Sequence, residues 1–417
     1  MTRGGETQDG GAGQGAHGRA RAVITGVGAL TAAGAGIERF WEAVRVGRNG
    51  AAPLIEVRGP VHHPVVGAAV DDACLQESGP WDRAFHMAEL AISEALDRAG
   101  LAPPALPTTC ALIVGTTLGG AIRAQAWHAD FLEGRQPRRA DLLQSPLHAM
   151  ADRLATKVGL KGIRTVITNG CVSGTMVLTL AADLVRSGEA EIVLAGASDS
   201  LHTFNFTGFA SMGILTRDRC VPFGNTGGML LGEGAAFLVV ESEKSARRRG
   251  AQILAELAGH GSACDAFHAT TPRPDGDGAA RAMTVALTDA NVSSDQVDLV
   301  AAQGVGNAQA DAMELEAIRR VFASREAELP VTSLRATTGH VPGASGALDA
   351  VVCILAIERG LLPPIGAGTN GASRLLGEPL RIVRFPVERT VEVVLKTSSG
   401  FGGMNTALVL RRWNETA

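Results

Sequence analysis

Short apolar runs alternate along this chain with longer segments in which apolar residues recur at helical spacing. In the first half the apolar runs lie at 23–28, 112–115, 165–168 and 191–196. Runs of this length, bounded by glycines, predict buried strands, and the longer periodic segment at 83–98 predicts an amphipathic helix. Because strands alternate with helices, the default expectation is a layered α/β fold.

The second half of the chain repeats this alternation. Apolar runs at 297–302, 331–333 and 391–396 predict strands, and residues 279–290 and 310–322 predict helices. In each half a strand runs into a glycine-rich turn that opens a helix. This indicates a weak internal duplication, although the two sequences barely match, and we expect two similar α/β halves.

The domain boundaries follow from the same alternation. Residues 1–21 are rich in glycine, with Gln, Arg and His, and predict a disordered tail that lacks the apolar centre of a signal peptide. We assign residues 22–255 to an N-terminal half, residues 256–412 to a C-terminal half and residues 413–417 to a second tail. No apolar run reaches the roughly 18 residues that a membrane span requires.

Composition narrows the possible functions. A hydrophobic fraction of 46% supports a large core, and a formal net charge of −4 gives no basic footprint for nucleic acid or an anionic membrane. The chain has no tyrosine, which excludes a tyrosine acid or base. Six cysteines without paired spacing favour reduced thiols in the cytoplasm over disulfides or a zinc site: Cys74, Cys110, Cys171, Cys220, Cys264 and Cys353.

Cys171 is the strongest candidate nucleophile. It lies between the predicted strand at 165–168 and an apolar helix predicted at 176–186, within a turn of small residues. A cysteine at such a junction sits at a helix N-terminus, where the helix dipole favours the reactive thiolate. The same turn can present backbone N–H groups as an oxyanion hole. A buried structural cysteine is the alternative, and the rest of the sequence decides between the two.

Four segments, in this order and spacing, resemble the β-ketoacyl-acyl-carrier-protein synthases, the elongating condensing enzymes of fatty-acid and polyketide synthesis. They are the Cys171 turn, the strand end at Gln303, the run TGHVPGASG at 338–346 and the run GFGGMN at 400–405. The resemblance covers about residues 22–412. It implies a thiolase-like fold, in which two similar βα halves stack as five αβαβα layers and two chains normally form a dimer.

The resemblance also implies a reaction. An acyl group passes from the phosphopantetheine thioester of an acyl carrier protein to Cys171, and a malonyl thioester then loses CO₂ so that its carbanion attacks the acyl-enzyme. Carried over by motif, His340 is the second of two assisting histidines, and Phe401 is the gate and a backbone oxyanion donor. Gly400 and Gly402 flank that gate. No metal and no cofactor beyond the carrier's phosphopantetheine arm is implied.

Two more positions keep the family's charge signs with different side chains. Arg335 falls where the family has a lysine, and Asp349 falls where it has a glutamate. Because both signs survive, the resemblance implies a supporting ion pair between them. His268, close to Asp265, matches a family stretch beside the gate and is a candidate for a functional contact.

The first histidine of the family is missing from this chain. It lies in a His-Gly-Thr-Gly-Thr motif, and the matching segment here begins with Gln303 and replaces the two threonines by Val305 and Asn307. Those threonines typically hold the pantetheine arm. Asp311 and Glu314, downstream of the motif, are kept, so the alignment stands. The malonyl side of the site is therefore altered, while the acyl side is intact.

Glutamine offers an amide donor and a carbonyl acceptor, but it is not a base near neutral pH. If the first histidine only donates a hydrogen bond to the enolate, Gln303 can partly replace it. If that histidine must carry a proton, its loss costs roughly 10²–10⁴-fold in rate.

Three interpretations follow. The preferred one is a chain-length-factor-like subunit that pairs with a complete ketosynthase and loads acyl groups on Cys171. The others are a non-decarboxylating acyltransferase and a divergent Cys-Gln-His condensing enzyme, with a homodimer in place of the heterodimer. In the aromatic-polyketide chain-length factors the lost residue is the cysteine, which this chain retains.

The acyl substrate is not readable from the sequence. Its pocket depth is expected to depend on packing by residues such as Phe204, Phe206, Met212 and Ile214. The strand after the nucleophile helix, at 191–197, is expected to lie at the two-fold interface of the dimer.

Overall fold

The computed structural model describes residues 20–54, 65–75, 82–102, 106–107, 109–224, 227–325, 327–366 and 380–415. Most of the predicted N-terminal tail and the end of the C-terminal tail lie outside these ranges. The described ends of the chain meet, because the Arg21 guanidinium stacks on the Trp413 ring at 4.2 Å.

Sixteen strands form within the described ranges. They are β1 (Ala22–Thr31), β2 (Gly34–Ala35), β3 (Ala52–Leu54), β4 (Val65–Gly67), β5 (Ala111–Gly115), β6 (Arg164–Ile167), β7 (Ile192–Asp199), β8 (Gly234–Ser242), β9 (Ala255–Cys264), β10 (Leu299–Ala301), β11 (Pro330–Thr332), β12 (Leu361–Leu362), β13 (Arg381–Ile382), β14 (Val387–Glu388), β15 (Val393–Gly400) and β16 (Met404–Arg412).

Twelve helices accompany these strands in the described part of the chain. Within that part, no helix is both long and apolar enough to cross a membrane. The helices are α1 (Ile37–Arg45), α2 (Arg83–Arg98), α3 (Ala121–Leu132), α4 (Arg139–Leu142), α5 (His148–Val158), α6 (Ser173–Ser187), α7 (Thr203–Ser211), α8 (Glu243–Arg248), α9 (Asp277–Asp289), α10 (Ala308–Val321), α11 (Arg335–Thr338) and α12 (Ser345–Arg359).

The long strands form two sheets with the same strand order. The first runs β6-β5-β7-β8-β1, and the second runs β11-β10-β15-β16-β9 with β13 added beyond β11. In both, the first three strands are parallel and the last two are antiparallel. This matching order confirms the internal duplication expected from the sequence. A short antiparallel pairing of β1 with β9 joins the two sheets.

The helices complete five layers. Helices α2 and α5 cover the outer face of the first sheet, and α9, with α10 packed on it, covers the outer face of the second. Helices α6 and α12 lie between the sheets, because each contacts strands of both. The three largest apolar clusters match these spaces, one on each outer side and one around the central helices. This is the αβαβα arrangement that the resemblance implies.

The two central helices touch through glycines at their first turns. A Cβ atom added to Gly346 in α12 would lie 2.3 Å from the Thr175 hydroxyl oxygen and 2.4 Å from the Thr175 amide nitrogen in α6. A Cβ added to Gly174 would lie 2.8 Å from the carbonyl oxygen of Gly343. Since no real Cβ atom comes so close, only glycine lets the two N-termini meet. This contact brings together the turns that carry Cys171 and His340.

One expectation about the sheet is wrong. The strand expected at the dimer interface, residues 191–197, corresponds to β7, which is buried throughout and pairs with β5 on one side and β8 on the other. A strand with both edges paired cannot extend a sheet into a second chain. Among the described residues the open edge of the first sheet is β6, which pairs only with β5 and is exposed at Arg164 and half-buried elsewhere. The order of strands depends on long-range pairing, which apolar runs do not encode.

We predict that Gly346→Ala lowers the free energy of unfolding by about 1–3 kcal/mol, because the added methyl group meets the backbone of Thr175. Urea denaturation followed by circular dichroism measures this change. Gly208→Ala in α7 is the matched control, because an added Cβ there meets nothing within 4 Å. The control should be neutral or up to about 1 kcal/mol stabilising. Equal unfolding free energies for the two variants would contradict the close contact of α6 and α12.

Candidate active site

A cavity of about 360 Å³ opens where the N-termini of α6 and α12 meet the hairpin of β15 and β16. It contains the four residues that the sequence singled out as catalytic. The lining consists of Cys171, Met212, Ile214, Met229, Thr270, Thr271, Pro272, Gln303, Gly304, Val305, Asn307, Gln309, Ala310, Asp311, Met313, Glu314, His340, Ser399, Gly400, Phe401 and Gly403.

Cys171 is held in a sharp turn between β6 and α6. Gly170, just before it, has φ +54°, a left-handed conformation that favours glycine. A single 3₁₀ turn, Gly170–Val172, then leads into α6, so the cysteine lies at the N-terminal end of this helix. Its Sγ atom is 3.1 Å from Nε2 of His340. The nucleophile and an imidazole are therefore in direct contact.

The His340 ring is fixed by its backbone and by one neighbour. The His340 N–H donates to the Leu230 carbonyl at 2.6 Å, and the His340 carbonyl accepts from the Gly232 N–H at 2.9 Å. On the far side of the ring, Nδ1 lies 3.5 Å from the Ser345 hydroxyl. These contacts leave Nε2 as the nitrogen that faces the thiol.

The resting pair is a neutral thiol beside a neutral imidazole. Burial, together with the positive charges of Arg335 and Lys396, lowers the pKa of His340 to about 3. Burial also raises the pKa of the Cys171 thiol to about 12, and the carboxylate of Asp199 adds to this rise. The thiolate expected from the helix dipole is thus not the resting state, because desolvation opposes the charged form more strongly. A neutral His340 can accept the thiol proton when the thiol attacks a substrate.

Gln303 is clamped so that its amide has a defined direction. Its backbone N–H and that of Gly304 donate to the two oxygens of Glu314 at 2.8 and 2.9 Å. Its side-chain oxygen accepts a hydrogen bond from the backbone N–H of Ser399 in β15. Because that N–H requires an acceptor, the amide nitrogen is the end left for the cavity. Gln303 therefore offers a hydrogen-bond donor where the family has its first histidine.

The two positions that replace threonines offer little to a polar substrate arm. Val305 packs with Phe206 and Met229 in an apolar cluster. Asn307 is the N-cap of α10, and its side-chain oxygen accepts from the Ala310 N–H at 3.1 Å. Asparagine is among the best N-cap residues, so this oxygen stabilises the helix. The wall of the cavity thus presents apolar surface and an amide nitrogen in place of two hydroxyl groups.

Phe401 stands at the tip of the β15–β16 hairpin, and 40% of it is exposed. Its ring centroid lies 5.9 Å from that of Phe209. A Cβ added to Gly400 would lie 3.6 Å from the Cys171 amide nitrogen, so the hairpin backbone passes directly beside the nucleophile. Gly402 has φ +84°, which allows the chain to turn at the tip of the hairpin. It does not line the cavity.

Comparison with known proteins identifies the family of this chain. The description "Beta-ketoacyl synthase, N-terminal domain" matches residues 19–246, and "Beta-ketoacyl synthase, C-terminal domain" matches residues 254–368. The tetracenomycin polyketide synthase ketoacyl synthase alpha subunit of Streptomyces glaucescens is 32% identical, over 96% of this chain and 99% of that protein. The chain belongs to the β-ketoacyl synthase family.

Solved structures of the family agree in fold. The ishigamide ketosynthase/chain length factor superimposes with a TM-score of 0.85 at 31% identity, covering 95% of this chain and 100% of that one. A type II polyketide synthase acyl-carrier protein in complex with its ketosynthase, bound to the hexaketide, gives a TM-score of 0.85 at 26% identity, with 95% and 100% covered. The thiolase-like fold expected from the sequence is therefore confirmed.

Behind the cavity, this family member buries an ion pair that the sequence indicated and a cation that it did not. Arg335 binds Asp349 through its two terminal guanidinium nitrogens, at 3.0 and 2.5 Å, and both side chains are buried. Lys396 joins them, with Nζ 3.4 Å from Asp349 Oδ2. Its position at the end of the apolar run 391–396 was a usable signal, since a lysine there has no route to solvent. Sequence reasoning also missed the clamping role of Glu314.

The residues expected to set the acyl pocket separate into two groups. Met212 and Ile214 line the cavity, and Phe206 is buried just behind its wall. Phe204 is 68% exposed and takes no part in the lining. The difference arises because Phe204 lies on the outer face of α7, which a linear sequence does not reveal.

His268 supports the cavity wall indirectly, through a neighbouring loop. It does not line the cavity, and its Nδ1 accepts from the backbone N–H groups of Thr270 and Thr271 at 3.1 and 3.0 Å. Thr270 and Thr271 themselves line the cavity. His268 therefore shapes the loop that forms one wall of the site.

Proposed function

We propose that this chain is a chain-length-factor-like subunit of a ketosynthase heterodimer that accepts an acyl group from an acyl-carrier-protein thioester on Cys171. The observation that carries the proposal is the 3.1 Å contact between the Cys171 thiol and the neutral His340 imidazole. As Sγ attacks the thioester carbonyl, its proton passes to His340. The carbon–sulfur bond to the pantetheine then breaks, and His340 returns the proton to the departing thiol.

The tetrahedral intermediate of this transfer carries an oxyanion, which needs donors. The backbone N–H groups of Cys171 and Phe401 are the candidates by family resemblance. The close passage of Gly400 beside the Cys171 nitrogen supports this, because it puts both amides in one corner of the cavity. Acyl loading therefore draws only on residues that this chain retains.

Condensation draws on the residues that this chain has changed. Gln303 has no basic nitrogen to accept a proton from water and return it. Val305 and Asn307 also lack the hydroxyl groups that hold the arm of the second substrate, at a cost of about 1 kcal/mol for each lost hydrogen bond. We infer that the isolated chain retains acyl loading on Cys171 and loses most of its rate of condensation.

A divergent Cys-Gln-His condensing enzyme is the second candidate, and one observation favours it. The Ser399 N–H holds the Gln303 amide so that its nitrogen faces the cavity. A fixed N–H donor can stabilise an enolate oxygen without exchanging a proton. A non-decarboxylating acyltransferase that works without a partner is the third candidate, and loading experiments with and without a partner separate it from the others.

The partner assignment has support from structure and from relatives. The open strand β6 and the 43% exposed Ile163 beside it form an uncovered edge among the described residues. A ketosynthase/chain length factor pair and a carrier-protein complex are among the similar structures. We propose the cytoplasm as the compartment, because all six cysteines are free thiols.

We predict that incubation with an acyl-loaded carrier protein adds one acyl mass to the intact chain. Cys171→Ala should abolish the adduct, because it removes the nucleophile. Cys264→Ala is the matched control, since Cys264 is an exposed thiol outside the cavity. Intact-mass spectrometry follows both variants with and without the candidate partner. If no acyl adduct forms under either condition, the loading function is wrong and a purely structural subunit remains.

We predict that the isolated chain decarboxylates malonyl carrier protein at least about 10²-fold more slowly than a Cys-His-His relative, because Gln303 cannot carry a proton. Gln303→His should recover part of this loss, and adding Val305→Thr and Asn307→Thr should recover more. Release of labelled CO₂ measures each rate. Rapid condensation by the unmodified chain alone would instead establish the Cys-Gln-His enzyme.

We predict a dimer that forms across the β6 edge, most readily with a complete Cys-His-His ketosynthase. Ile163→Asp should weaken the dimer by at least about tenfold, because association would bury an unpaired carboxylate. Val285→Asp is the control, as Val285 is similarly exposed, at 49%, on the outer helix α9. Light scattering at micromolar concentration reads the mass. A stable monomer with and without the partner contradicts the assignment.

A further inference from the structure

Lys396 is a buried cation that acyl transfer, as described above, does not use. It lies in β15 with none of its surface exposed. Its Nζ lies 3.4 Å from Asp349 Oδ2 and 3.2 Å from the Thr175 hydroxyl, and it also donates to the Ser398 hydroxyl. A protonated lysine has three N–H donors, and three acceptors surround this one. The geometry therefore fits the charged ammonium: burial and Arg335 lower the pKa of Lys396, and the Asp349 carboxylate beside it opposes that fall.

Neutralising Asp349 does not require this second cation. Arg335 already binds that carboxylate through two nitrogens. Burying an extra ammonium costs free energy, so its presence calls for a role other than pairing. The sequence differs from the family here, with arginine at 335 in place of lysine and the shorter aspartate at 349. In this chain the ammonium near the site comes from Lys396 in β15 instead.

The contacts of Lys396 link the three elements that build the site. Thr175 belongs to the first turn of α6, four residues after Cys171, and Asp349 lies near the start of α12, nine residues after His340. Ser398 lies in β15, next to Ser399, whose N–H holds the Gln303 amide. One ammonium thus touches the supports of the nucleophile, the imidazole and the amide.

We propose that Lys396 is a positioning residue that ties α6, α12 and β15 together and whose charge holds the His340 imidazole in its proton-accepting form. The proposal rests on the role of Cys171 and His340 in acyl transfer given above. The positive charges of Lys396 and Arg335 both lower the pKa of His340, in addition to burial.

The other groups that face this region do not cancel the effect at the imidazole. Asp199 in β7 acts on the Cys171 thiol, while Glu314 in α10 and Cys353 in α12 act on Lys396 itself. Burial is the main cause of the lowered pKa of His340, and Arg335 in α11 and Lys396 are the two charges that add to it, with Ser345 as the uncharged neighbour of the ring.

The test is a direct titration of His340. The full chain is labelled with [¹³Cε1]histidine, and the His340 resonance, assigned by its loss in His340→Gln, is followed from pH 4 to pH 8. We compare wild type with Lys396→Met, which removes the charge at similar length, and Lys396→Arg, which keeps it. Thermal unfolding of each variant is measured in parallel. Because no carrier protein or acyl group is involved, the result is independent of whether the proposed acyl transfer occurs.

We expect the wild-type and Lys396→Arg resonances to stay at the neutral-imidazole value down to about pH 4, since the pKa of His340 is lowered to about 3. In Lys396→Met the resonance should leave that value at a pH at least about one unit higher, a tenfold change in the protonation constant. Overlapping curves for all three proteins overturn the proposal. So does an identical change in both variants with a matching loss of thermal stability, since that indicates packing alone. A wild-type midpoint near the ordinary 6.5 overturns it without any variant.

Discussion

The glycine contact between the first turns of α6 and α12 is the constraint on which the site depends. With Gly174 and Gly346 in place, two helix N-termini share one corner of the molecule, and the turns leading into them deliver a thiol and an imidazole 3.1 Å apart. Each sheet supplies one of these helices, so the duplicated fold has its functional centre where its two halves meet. The β15–β16 hairpin closes the corner from the second half.

Burial sets the chemistry of this corner as strongly as position does. Removing water disfavours both the thiolate and the imidazolium, so the resting pair is neutral and its reactivity depends on a proton moving between Cys171 and His340. The replaced residue follows the same principle. Gln303 is never charged, and its amide is held by a backbone N–H, so it supplies a fixed dipole without a titrating group. At position 303 the site gives up proton exchange and keeps directed hydrogen bonding.

Local features of the sequence predicted much of this structure. The helix at 83–98 has the expected bounds, and the four motif segments identified the family and the residues that meet in the cavity. What the sequence did not predict depends on distant partners. The interior place of β7 results from pairing with two strands far away in the chain, and the direction of the Gln303 amide depends on a donor almost a hundred residues later. The raised pKa of the Cys171 thiol depends on all the residues that bury it.

The open edge of β6 has a consequence for the life of this chain in a cell. An uncovered strand presents unpaired N–H and C=O groups that any other extended segment can join, which natural proteins usually prevent by covering or shortening their edges. A copy synthesised in excess of its partner would keep that edge exposed, next to apolar Ile163. Balanced production of the two subunits would then protect the chain from aggregation, independently of any chemistry at Cys171.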